Sequence, residues 1–181
     1  MRNKPRISIT LHPRGKNSLG ENHRRLHYAA YHWGILISPK NSKSNNGDHT
    51  LFDVTDSLFV HVSTGKASDD WRFRARTTQD PDVAFQILVK VLVGKLDSRS
   101  VTVKEVERRF KEVPLPRKGE QLGENCVSWT KEAIGLLVKM GVLEGVLDVQ
   151  KLINEALEFA DCCLREQKGL GNVIDHIESS K

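Results

Sequence analysis

The stretch Gly123-Glu124-Asn125-Cys126-Val127-Ser128-Trp129-Thr130 sets the reading of the whole chain. Asn125 carries a side-chain acceptor just before a helical pattern, which predicts a helix N-cap. Cys126 then falls at the first helical position. Unpaired backbone N–H groups and the helix dipole favour negative charge there. A thiol so placed gives up its proton more readily, and the thiolate is the reactive form. Ala133, Ile134, Leu137 and Met140 continue the segment as a helix buried on one side. This is how a chain presents a nucleophilic cysteine. The alternative is a small buried residue that starts a helix, because free cysteine commonly packs as a hydrophobe. The nucleophile reading requires a base elsewhere in the chain.

The frame around this stretch is that of an ordinary globular protein. A chain of 181 residues is long enough for one core, and 28% charged with 38% hydrophobic residues fits a soluble class. Three cysteines, two of them adjacent at Cys162 and Cys163, form no disulfide framework. The first eleven residues are basic without an apolar signal region, and no run reaches the length of a membrane span. A reducing, cytoplasmic setting is the expectation. The net charge of +5 tilts weakly toward anionic partners. Basic residues crowd the N-terminal end without interleaved aromatics, so nucleic acid is not expected.

Working outward from Cys126, the N-terminal half reads as strands. Ile7, Ile9 and Leu11 alternate between Arg6 and His12. A polar loop from Pro13 to Arg25 follows, then a strand from Tyr28 to Ser38 and a turn-rich connection from Lys40 to Gly47. Thr50 to Val54 returns as the second arm of an antiparallel hairpin, and Leu58–Val62 and Trp71–Ala75 read as short strands. Asp80-Pro81 predicts a helix start, and Ala84, Ile87, Leu88, Val91 and Leu92 extend it as an apolar stripe to Gly94. Thr102 to Glu105 forms a capping-box pattern for a helix reaching Phe110. Val113 to Pro116 is extended. A last helix begins near Val149, and Lys168 to Lys181 is a weakly patterned polar tail. Strands first and helices second give an α+β class, an antiparallel sheet packed against helices. Residues 1–145 form the core, with the helix and tail of 146–181 packed on the same domain.

Seven histidines could serve Cys126. His12, His23 and His49 lie in polar contexts, His61 sits in an apolar strand, and His176 lies in the tail. His32 stands at the head of His32-Trp33-Gly34-Ile35-Leu36-Ile37, where a rigid strand could hold an imidazole within reach of the thiol. The competing reading is a satisfied histidine capping a buried strand. An orienting group for the second ring nitrogen is offered by Asp53 or, as the lesser candidate, His49, which share a strand face. Trp33, Asn125 and Trp129 are candidates for lining a substrate cleft, with core packing the competing role of the two tryptophans. His23 and His27 have helical spacing, but no second pair completes a metal site. Neither metal nor cofactor is expected.

These residues together resemble the circularly permuted branch of the papain-like NlpC/P60 superfamily. The likeness lies in the His32-Trp33 strand, the following hairpin and the Asn125-Cys126-Val127-Ser128-Trp129 helix start, with His before Cys. The lecithin:retinol acyltransferase-like proteins are the best-known members of that branch. The chain is also similar to a family of small fungal proteins, in the His-Trp strand, the Gly94-Lys95 and Val113-Pro114 pairs and the Asn-Cys-x-x-Trp helix. The resemblance covers roughly residues 7–137. Two departures are expected: Asp53 stands where those acyltransferases carry a second histidine, and the hairpin loop is longer. No counterpart of their C-terminal membrane anchor is seen. The resemblance implies a thiol hydrolase or acyltransferase in which His32 activates Cys126 and an acyl-enzyme forms on an amide, thioester or ester. The expected partner is a small-molecule or peptide acyl substrate, tilted toward an acidic one by the basic N-terminal end. The alternative is an inactive binding or regulatory module on the same fold.

Overall fold

The computed structural model describes residues 4–40, 48–97, 100–118, 123–143 and 148–176. Strand β1 (Arg6–Pro13) leads through a single 3-10 turn to α1 (Gly20–Leu26), and a second such turn leads to β2 (Tyr31–Ser38). Strand β3 (His49–Thr55), the small hairpin β4 (Phe59–Val60) with β5 (Ala67–Ser68), and β6 (Arg72–Thr78) follow. A short α2 (Pro81–Ala84) precedes β7 (Val89–Lys95). Then come α3 (Val103–Phe110), α4 (Cys126–Lys139), α5 (Val149–Arg165) and β8 (Asn172–Asp175). Six strands form one sheet in the order β6-β3-β2-β1-β7-β8, antiparallel throughout except for the β7–β8 pair. The molecule is thus an α+β protein built on a mostly antiparallel sheet.

Alternation divides the sheet into two chemically different faces. Ile7, Ile9, Leu11, Trp33, Ile35, Phe52, Val54, Val89 and Val91 form the apolar face, packed with Val106, Phe110, Ala133, Ile134, Leu137, Leu152 and Ala156 from the helices. The opposite face carries Thr10, His12, Asp53 and Thr55, also buried, beside a small cluster of Leu36, Leu51 and Ile87. Burial of polar side chains there demands internal partners, and that demand creates the site.

The sequence reading departs from the structure in four places. Ile87 to Leu92 was expected to be helix, but α2 ends at Ala84, Gln86 takes φ 54°, and β7 runs through Val89, Val91 and Val93. These β-branched residues also fit period two, and a strand in the middle of the sheet buries both of its faces. The polar loop of residues 13–25 contains α1, which has no buried residue and so no apolar stripe to betray it. The C-terminal tail supplies β8, so helices and strands are not cleanly segregated. Trp71–Ala75 overlaps the start of β6, which begins at Arg72, while Leu58–Val62 contributes only the two-residue β4, paired outside the main sheet. The connections expected at Lys40–Gly47 and Arg117–Gly123 fall largely outside the described residues.

Gly34 marks a place where the sheet has no room for a side chain. It pairs with Asp53, and a Cβ there would meet the Phe52 carbonyl oxygen at 2.9 Å and the Leu51 Cδ1 at 3.0 Å. Gly34→Ala is therefore expected to cost about 1–3 kcal/mol by overpacking. Thermal unfolding read by circular dichroism checks it: an unchanged midpoint would mean that the strands part without strain.

Candidate active site

Helix α4 begins as its sequence predicts. Asn125 is extended, its Oδ1 accepts the Val127 N–H at 2.8 Å, and Ser128 Oγ accepts the Asn125 N–H at 2.9 Å. This reciprocal cap fixes the first turn. Cys126 is buried at its start, with Sγ 4.0 Å from the Tyr31 carbonyl oxygen at the head of β2. The next residue on that strand is His32, and Cys126 lies close enough to raise its pKa. The expected pair is thereby brought together across about 95 residues of sequence separation.

Asp53 completes a row. Its Oδ2 lies 3.0 Å from His32 Nε2, so in the charged or Nε2-protonated ring this nitrogen donates to the carboxylate. Nδ1 is then the ring nitrogen left for the thiol. Gly34 makes the diagonal approach possible, because it lies between the two residues on the shared face and has no side chain. Asp53 is 0% exposed and is held further by Arg74, whose Nε donates to Oδ1 at 2.7 Å and whose Nη2 donates to Oδ2 at 2.8 Å. Arg76 Nη2 adds another bond to Oδ2 at 2.7 Å. Burial alone would raise the Asp53 pKa; hydrogen bonds from His32 and Arg74 reverse this and hold the carboxyl well below the usual carboxylate range.

Burial likewise disfavours a charged His32, but the Asp53 hydrogen bond and the neighbouring Cys126 outweigh it and push the imidazole up to about 9. The consequence for stability has a definite sign. A raised histidine stabilises the fold fully below its unfolded pKa of about 6.5, and the contribution is lost as pH climbs toward the folded value. His32→Gln is expected to remove about 1–3 kcal/mol of stability that the parent loses between pH 6.5 and pH 9. Parallel unfolding curves for parent and variant across that interval would contradict it.

Another histidine joins the site without having been expected there. His12 pairs with His32 in register, their ring centroids 5.6 Å apart. Its Nδ1 donates to the Phe85 carbonyl at 2.7 Å, and its Nε2 bonds Thr10 Oγ1 at 2.9 Å. Burial first, then the charge of His32, lowers its pKa to about 3, so it stays neutral beside the imidazolium. The signal was its strand parity with Ser8 and Thr10. Arg74 and Arg76 were also missed, and they alternate on β6 in the same way.

Other candidates go elsewhere. His49 shares the Asp53 face as its spacing requires, but it lies four positions away along the strand, about 13 Å. Its Nδ1 bonds Ser38 Oγ at 2.9 Å, and burial and Lys90 lower its pKa. The third residue beside His32 is therefore Asp53 and not His49. Trp33 and Trp129, proposed as cleft residues, are core instead. Trp33 Nε1 donates to the Tyr28 carbonyl at 2.8 Å, and Trp129 packs against Phe73 and Phe110. Asn125 does line a small cleft of about 190 Å³, with Ala29, Gly123, Ser128 and Lys131, beside the start of α4. A larger cleft of about 860 Å³ opens between α1 and α5 over Tyr31, His23 and Asp161, and is not the one next to Asn125. His23 is bound to Asp161 at 2.8 Å, and among the described residues no three His, Cys, Asp or Glu side chains are grouped to hold a metal.

Residues 4–168 match the sequence model of DUF6914, a family of unknown function. The chain belongs to this family. No curated protein and no solved structure matches it. The match takes in the strands of His12, His32 and Asp53, the arginines of β6 and the Cys126 helix of this DUF6914 chain. No helix among the described residues is long and apolar enough to cross a membrane.

Proposed function

We propose that the protein is a cysteine-dependent hydrolase or acyltransferase with Cys126 as nucleophile, His32 as base and Asp53 as the group that orients His32. The observation that carries this reading is His32 bonded to the buried Asp53 at 3.0 Å, with the Cys126 Sγ 4.0 Å from the carbonyl of the preceding residue, Tyr31. Asp53, anchored by two arginines, remains a carboxylate and fixes the proton on Nε2, so Nδ1 faces the thiol as acceptor. Thiolate attack on an acyl carbon forms a C–S bond and drives electrons onto the carbonyl oxygen. The cap uses the Val127 and Ser128 N–H groups, which leaves the Cys126 N–H as the first-turn donor for that oxyanion. Collapse expels the leaving group, protonated by His32, and water or an amine then resolves the thioester. The His strand, Asp strand and Cys helix follow one another in the order of the permuted papain-like NlpC/P60 fold, and the reading extends that likeness to the fold itself.

One observation favours a second reading, a non-catalytic binding module: Cys126 is only 2% exposed. Acyl transfer from 4-nitrophenyl acetate separates the two. The proposal expects a burst of nitrophenolate at neutral pH and an acetyl group mapped to Cys126, both absent in Cys126→Ala. A parent protein that releases nitrophenolate no faster than Cys126→Ala is a module without this chemistry.

A further inference from the structure

The row behind His32 holds more positive charge than orienting an imidazole needs. A single carboxylate, Asp53, faces the Arg74 and Arg76 guanidinium groups as well as the His32 ring. Arg74 alone satisfies it with two parallel bonds, which is the strong geometry for this pair. Arg76 adds a second full charge, and its Nε is a buried donor without a partner. Among the described residues, Asp53 is the acid paired with Arg74 and Arg76, while Asp82 of α2 is bound to Lys90 of β7 and Asp80 caps α2. His12, beside His32, is neutral.

The signs are also sorted by depth. The Asp53 side chain is sealed at 0% exposure, whereas the Arg74 and Arg76 side chains are 26% and 37% exposed. The anion is hidden, while both cations keep part of their side chains in solvent, Arg76 with the Phe85 ring 4.8 Å from its guanidinium carbon. Arg74 Nη2 lies 3.5 Å from His32 Nε2, so its guanidinium begins where the imidazole ends. Counting the thiolate–imidazolium pair as neutral, the row keeps one net positive charge. A monoanion balances that charge, and a dianionic phosphate overshoots it.

We propose that the acyl substrate carries a carboxylate close to its reacting carbonyl, seated on the outer edges of Arg74 and Arg76. This rests on the Cys126–His32 reading and names the substrate class for it. Arg74 and Arg76 are then positioning residues with two tasks, fixing Asp53 from behind and receiving the substrate carboxylate in front. Guanidinium groups suit both because each offers five donors around a plane.

The smallest matched probes are iodoacetate and iodoacetamide, which displace iodide at the same sulfur and differ by one carboxylate charge. Their rates at Cys126 are read by peptide mapping at pH 7 and low salt, with Cys162 in the same digest as reference. The iodoacetate-to-iodoacetamide ratio cancels whatever a substitution does to the thiolate population. It is expected to be at least about five-fold higher at Cys126 than at Cys162, as one unit of nearby charge allows. Arg76→Gln lowers the Cys126 ratio several-fold and Arg76→Lys keeps it. For a measurement free of substitutions, the parent ratio stays elevated at pH 10, where His32 is neutral and only the arginines remain. Equal ratios at Cys126 and Cys162, with Cys126 still fast toward iodoacetamide, overturn the carboxylate proposal and leave the Cys126–His32 pair standing. A Cys126 that reacts with neither reagent removes the pair, and the proposal with it.

Discussion

The rate at which iodoacetamide modifies Cys126 is expected to be nearly level from pH 6 to pH 8 in the parent protein. In His32→Ala it is expected to climb about ten-fold per pH unit. At pH 6 the two should differ by about 10–100-fold. A lone thiol has a pKa of about 8.5, and less than ~1% of it is thiolate at pH 6. His32 is pushed up to about 9, so an imidazolium stands near the sulfur throughout this interval, and a cationic neighbour favours a reactive thiolate. A stabilised thiolate is also a weaker nucleophile, which takes back part of the advantage and sets the lower bound of the range.

The variant should remain folded, so the comparison is clean. Loss of the imidazole leaves Asp53 with three bonds from Arg74 and Arg76, so no buried charge is orphaned. Cys162 and Cys163 report on global opening within the same sample. Cys163 is buried and Cys162 half-buried, and a rise in both would signal loosening instead of loss of the base. A Cys126 profile that rises with pH in the parent as it does in His32→Ala would end the nucleophile reading. Its burial would then be packing and nothing more.

What the sequence disclosed depended on how far apart the interacting residues are. The Asn125 cap needed only the three residues after it, and its chemistry is complete within one turn. The hairpin of β2 and β3 was legible for a similar reason, and strand parity alone put Asp53 on a fixed face. Parity could not say which strands were neighbours. The register of β6 against β3 brings Arg74 opposite Asp53, and that of β1 against β2 brings His12 opposite His32. Neither register is written in any local pattern, so the arginines and the second histidine stayed hidden. Segment 84–92 failed differently. Ile87, Leu88, Val91 and Leu92 satisfy helical spacing while Val89, Val91 and Val93 satisfy strand spacing, and only the sheet, which needs a strand beside β1, breaks the tie.

Asp53 is the residue on which the fold and the chemistry both depend, and its loss should be the most damaging single change in the site. Asp53→Ala leaves two guanidinium groups and an imidazole facing one another with no counter-charge. Removing one partner of a buried ion pair costs about 3–5 kcal/mol. The outer ends of Arg74 and Arg76 reach solvent, which argues for the lower part of that range, or roughly 6–12 °C in the unfolding midpoint of a chain of this size. Asp53→Asn keeps the shape but places an amide N–H₂ against at least one of the four donors that now converge on the carboxylate, so it should recover little. Adding Arg74→Gln to Asp53→Asn should restore part of the stability, because the second substitution removes one of the charges left unpaired. The pH dependence distinguishes this from simple loss of packing. A depressed carboxyl contributes stability that is present above its unfolded pKa, about 3.8, and is lost only as pH falls through its folded value. The deficit of Asp53→Asn should therefore be constant from pH 5 to pH 6.5 and shrink in strong acid. The same substitution should bring the His32 imidazole down from about 9 toward its ordinary range, since the Asp53 hydrogen bond is the largest influence holding it up. Ring-proton NMR titration reads that value directly. A His32 that titrates alike in parent and Asp53→Asn would show that Asp53 braces the sheet without governing the base, and the triad would reduce to a Cys126–His32 pair.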